Sequence, residues 1–120
     1  MNVNQVLEQA PAKIGQFAEK GENARLAWKK GEITLKKLEA QKHLSFKAMG
    51  DSPTQSDLKA KVDADDEIYT MRMDIIGLES DYRRAEIELE KWSNAFVSAR
   101  KIASLQVEEL RSLHDTVKGG

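Results

Sequence analysis

The chain has no cysteine, only two prolines, and no long uninterrupted apolar run. Without cysteine, neither a disulfide framework nor a thiolate zinc site can form. Without a stretch near the roughly 20 apolar residues that a bilayer requires, no membrane-spanning helix is expected. The opening residues MNVNQVLEQA lack the charged and apolar regions of a secretory signal, so the expected compartment is the cytosol. Strand-like alternation of apolar and polar residues is missing as well, which predicts an all-α protein. Aromatic residues make up 6% of the chain and charged residues 32%, a balance common among extended helical proteins.

What is present is a seam. From Ile68 to Val117, residues alternately three and four apart read Ile68, Met71, Ile75, Leu78, Tyr82, Ala85, Leu89, Trp92, Phe96, Ala99, Ala103, Gln106, Leu110, Leu113 and Val117. Gln106 alone is polar. A repeat of 3.5 keeps one face of a helix against a partner, as in a coiled coil. At 1.5 Å per residue this helix would be about 75 Å long. The spacing therefore predicts a helical hairpin with a long C-terminal coiled-coil-type helix near 64–117 that assembles into a homo-oligomer. The residues expected to drive that assembly are Ile75, Leu78, Tyr82, Leu89, Trp92 and Phe96.

The first half carries a softer version of the same pattern. Pro11 favours a first turn over a helix interior, which predicts a short N-terminal helix over 1–11 and a second helix over 12–49. That second pattern runs through Ile14, Phe17, Gly21, Ala24, Trp28, Gly31, Leu35 and Leu38. Glycine on a seam either admits a closely approaching helix or marks a break, and Gly21 leaves both open. Gly50 is a stop signal. In the connector over 50–63, Ser52, Pro53 and Gln55 form a capping sequence for a short helix over 53–61. Asp63 is the expected cap of the long helix, with Asp65, Asp66 and Glu67 suiting the positive end of its dipole.

The formal net charge of −1 conceals a division. Residues 25–50 hold seven basic residues against two acidic ones, and residues 51–90 hold twelve acidic against five basic. Segregation of this kind points to polyanion contact by the first segment and to self-association or partner contact by the second. Lys29, Lys36 and His43 recur every seven residues along one side of the helix, with Lys30 and Lys37 beside them. Lys42 and Lys47 complete the basic stretch, and Phe46 is placed to stack on a base or to be buried. The plainer alternative is a solvated lysine-rich helix face.

Catalytic chemistry has little support. His43 and His114 belong to separate helices and no partner pattern surrounds either. The acidic run Asp63–Glu67 lacks the turn glycine and closing glutamate of a calcium loop. No phosphate-cradling glycine loop or nucleophile elbow occurs. The chain reads as a non-enzyme with no cofactor and no metal.

One ordered set of features resembles a known family. Leu38-Glu39-Ala40-Gln41-Lys42 leads to Lys47-Ala48, then a turn, then Leu58-Lys59-Ala60-Lys61-Val62-Asp63-Ala64-Asp65. A long helix follows, containing Leu89-Glu90-Lys91-Trp92 and Arg100-Lys101-Ile102. This order is similar to the UvsY-type recombination mediators of tailed phages over about residues 30–105. The resemblance implies a ring-like homo-oligomer that binds single-stranded DNA. It also implies loading of a RecA-type recombinase onto strands covered by single-strand-binding protein, in the host cell cytoplasm. It carries the family's basic helix exit onto Lys47, while Met49 stands where the family has arginine. The alternative reading is a helical adaptor or phage assembly chaperone without nucleic-acid binding.

Overall fold

The computed structural model describes residues 1–50 and 54–119, and every element among them is a helix: α1 (Val3–Met49), α2 (Gln55–Ala64) and α3 (Asp66–Gly119). None is long and apolar enough to cross a membrane. The chain forms two compact units, residues 20–84 and residues 1–19 with 85–120.

The two expected N-terminal helices are one. α1 runs through Pro11, its ninth residue, without interruption. A proline inside a helix costs about 3 kcal/mol because it cannot donate to the carbonyl four residues back, here that of Leu7. Pro11 lies on the exposed face, whereas Ala10 beside it is fully buried and Leu7 and Ile14 are half-buried. Packing of that apolar face outweighs the local preference. There is no break at Gly21 either; it is a buried position within the helix. α1 ends at Met49, with Gly50 following as the stop signal predicts.

In the unit of residues 20–84, α1 and α3 run antiparallel. As numbers rise along α1 from Trp28 through Gly31 and Glu39 to Lys42, their α3 neighbours fall from Tyr82 through Leu78 and Arg72 to Glu67. Trp28 stacks on Tyr82. Gly31 faces Ile75 and Leu78, where an added Cβ would stand 3.2 Å from Leu78 Cδ1 and 3.3 Å from Ile75 Cγ1. The glycine on the seam thus serves close approach. Ile75, Leu78 and Tyr82, expected to drive assembly, are covered within this unit by the chain's own first helix.

The best-buried side chains of this unit are Leu58 and Val62 of α2 and Ile68 of α3. Burying one such aliphatic side chain stabilises the fold by about 1.5–3 kcal/mol. That burial fixes where the helices begin and end. α2 extends to Ala64 instead of stopping at residue 61, so Asp63 is a helical residue of α2 and not the cap of α3. The cap is Asp65, whose extended backbone (φ −70°, ψ 130°) separates the two helices and whose Oδ1 accepts the Ile68 N–H at 3.1 Å. At the other end of α2, Thr54 Oγ1 accepts the Asp57 N–H at 3.1 Å. The expected cap at Ser52 and Pro53 lies outside the described residues.

The other unit pairs residues 1–19 of α1 with the part of α3 from Ala85 onward. Its buried positions, Ala10, Ala85 and Ala99, are all small, which lets helix backbones come close. Leu89, Trp92, Phe96 and Ala103 are half-buried. Beyond Ala103 the seam continues in register, but Gln106, Leu110, Leu113 and Val117 are exposed.

Candidate nucleic-acid interface

The seven basic residues singled out on α1 fall into three groups. Lys30, Lys37 and Lys47 are exposed and form no ion pair with the described residues. Lys29 lies 3.8 Å from Glu32 and 4.1 Å from the centroid of the Trp28 ring. Its charge is shared between a carboxylate and an aromatic face. Lys42 is more deeply engaged. Its side chain is 26% exposed, and Nζ lies 3.3 Å from Asp65 and 3.8 Å from Glu67. This pair ties the last turns of α1 to the first turn of α3, so Lys42 has a structural role that its place in a lysine-rich run did not disclose.

Lys36 and His43, seven residues apart on α1, line a cleft of about 490 Å³ with residues of α2 and α3. Gln55, Lys59, Val62 and Asp63 come from α2 and Arg72 from α3. Arg72 is held from two sides: Nη2 donates to Asp63 Oδ1 at 2.8 Å and lies 3.5 Å from Glu39 Oε1. The hydrogen bond from Arg72 to Asp63 raises the guanidinium pKa above its ordinary value.

The α3 start is the acidic counterpart. The backbone N–H of Ile68 holds the Asp65 carboxyl below the usual carboxylate range, and the Lys42 ammonium adds to the effect. An ionised Asp65 serves both as helix cap and as ion-pair partner.

Aromatic stacking is often part of sequence-tolerant single-strand binding. Phe46 is half-buried. The Trp28–Tyr82 stack lies beside Lys29 and Arg83, with the Arg83 guanidinium 5.8 Å from the Trp28 centroid and 5.5 Å from that of Tyr82. Trp28 thus already has Tyr82 and a lysine against its rings.

Two cations of this surface, Lys59 and Arg72, escaped the sequence reading because they sit in the acidic half of the chain. The signal was in the spacing of Asp63 and Arg72, nine residues apart across the α2–α3 junction. Only the bend at Asp65 brings such a pair together. No family model, curated protein or solved structure matches the chain.

Proposed function

We propose that this chain is a non-catalytic, single-stranded DNA-binding recombination mediator of the UvsY type, acting as a ring-like homo-oligomer that helps load a RecA-type recombinase onto strands covered by single-strand-binding protein. The observation that carries the reading is the set of exposed lysines on α1, Lys30, Lys36, Lys37 and Lys47, which have no carboxylate partner among the described residues. Phosphate contact needs cations at loosely defined spacing whose charge is not already neutralised. Repetition around a ring multiplies a weak basic face into a strong one. The ordered resemblance over residues 30–105 supports the same assignment, with Lys47 as its basic helix exit.

The test is a titration of fluorescent single- and double-stranded oligonucleotides at several salt concentrations. Wild type should bind the single strand, and Lys30→Gln/Lys37→Gln/Lys47→Gln should weaken binding to all sequences alike, because phosphate contacts carry no base information. The salt slope should fall by about 0.7 per lost contact. A wild-type protein that binds no oligonucleotide at low salt overturns the reading. The adaptor reading would then be preferred, supported by the exposed apolar positions Leu110, Leu113 and Val117 of α3.

A further inference from the structure

We infer that the cleft where α1, α2 and α3 meet is a binding site for a single phosphodiester group, with Lys36, His43, Lys59 and Arg72 as its donors. The inference rests on the nucleic-acid reading for the source of the phosphate, but the site itself follows from the geometry. Four basic side chains from three helices line one cleft with only two carboxylates, Glu39 and Asp63. Both carboxylates are turned to the same atom, Arg72 Nη2. They therefore hold the guanidinium in place while Nη1 and Nε, the remaining donors, have no acceptor among the described residues. Lys36 and Lys59 have no carboxylate partner there either.

The charge count selects the ligand class. Lys36, Lys59 and Arg72 against Glu39 and Asp63 leave one formal positive charge, which matches the single negative charge of a phosphodiester. Asp63 and Glu39 balance the Arg72 charge, so Lys36 and Lys59 supply the net attraction while the remaining guanidinium donors orient phosphate oxygens. His43 Nδ1 or Nε2 supplies a further donor in either protonation state. Lys36 of the cleft is next to Lys37 in the sequence and joins the cleft to the exposed lysines of α1.

The experiment compares Lys59→Gln with Lys61→Gln in the full chain. Both residues are exposed on α2, and only Lys59 lines the cleft. Binding of a single-stranded thymidine oligonucleotide is measured against salt, and the Arg72 Nε–Hε resonance is followed by NMR with the oligonucleotide and, separately, with inorganic phosphate. Lys59→Gln should weaken binding about fivefold at 0.1 M salt, the effect of one lost contact, and Lys61→Gln should not. The Arg72 resonance should move with either ligand. If the α1 lysine substitutions weaken binding but Lys59→Gln behaves like Lys61→Gln and Arg72 does not move, the cleft assignment falls and the DNA-binding reading stands. If the oligonucleotide does not bind while inorganic phosphate shifts Arg72 and is weakened by Lys59→Gln, the cleft is a phosphate site and the mediator reading fails. If neither ligand has an effect, both fall.

Discussion

Trp28 of α1 stacks on Tyr82 of α3 with ring centroids 5.7 Å apart and planes inclined by 28°. Ring stacking of this kind contributes about 0.5–1.5 kcal/mol beyond the area it buries. A double-mutant cycle of Trp28→Ala and Tyr82→Ala, read by urea unfolding, should therefore show a coupling energy of about 1 kcal/mol. Additive losses would show that the two rings are neighbours without interacting.

The glycines of the long helices should respond unequally to alanine. Nothing lies within 4 Å of a Cβ built on Gly15 or Gly77, whereas at Gly31 the new atom meets Leu78 and Ile75. Gly15→Ala and Gly77→Ala should each stabilise the protein by about 1 kcal/mol through helix propensity. Gly31→Ala should lose that gain to crowding against Leu78 and Ile75, and Gly31→Val should destabilise by about 1–3 kcal/mol through overpacking. Denaturant midpoints of the four variants measure the order directly.

Acid should weaken the protein through Asp65. Its pKa is depressed in the folded state, chiefly by the Ile68 N–H and further by Lys42. The stabilisation is therefore complete above the unfolded-state value of about 3.9 and is lost as pH falls through the lower folded-state value. Thermal melts between pH 6 and pH 2 should show a smaller acid-induced decline for Asp65→Ala than for wild type, from a lower starting midpoint. Lys42→Met should lower the neutral-pH midpoint by a few degrees, whereas Lys37→Met, which breaks no ion pair, should not.

Apolar positions along α3 should divide into two classes. Phe96 is half-buried, so Phe96→Asp should destabilise the chain at any concentration. Leu110 is 67% exposed and Leu113 64%, so Leu110→Asp/Leu113→Asp should leave the helix content seen by circular dichroism unchanged. In the proposed homo-oligomer the same double substitution should lower the sedimentation coefficient. A wild-type protein that sediments as a monomer at micromolar concentration would contradict that assembly.

Periodicity made the long helix legible, since Ile68 through Ala103 repeat without interruption and are buried or half-buried as the pattern requires. It did not reveal that α1 would pass through Pro11, because a local preference of about 3 kcal/mol is smaller than the packing of Leu7, Ala10 and Ile14 together. Asp65 and not Asp63 caps α3 for a similar reason: burial of Val62 carries α2 three residues beyond its expected end. The basic stretch of α1 was plain in the sequence, but which lysines were engaged was not. Lys42 and Lys47 look alike in a linear run, and only the fold sets Asp65 and Glu67 beside the first and not the second.

Gly31 has a consequence for how the helices find their alignment. A seam that repeats every seven residues is nearly degenerate to sliding, since a shift of one heptad again sets apolar residues against apolar ones. Such a slip would bring Ala24 or Leu38 to the narrow place where Gly31 meets Leu78 and Ile75. Even alanine's Cβ would stand 3.2 Å from Leu78 Cδ1 there, and a leucine would force the helices apart. The missing side chain is thus an index mark: it singles out one alignment of two otherwise repetitive rods, and with it the pairing of Lys42 with Asp65 and of Glu39 with Arg72.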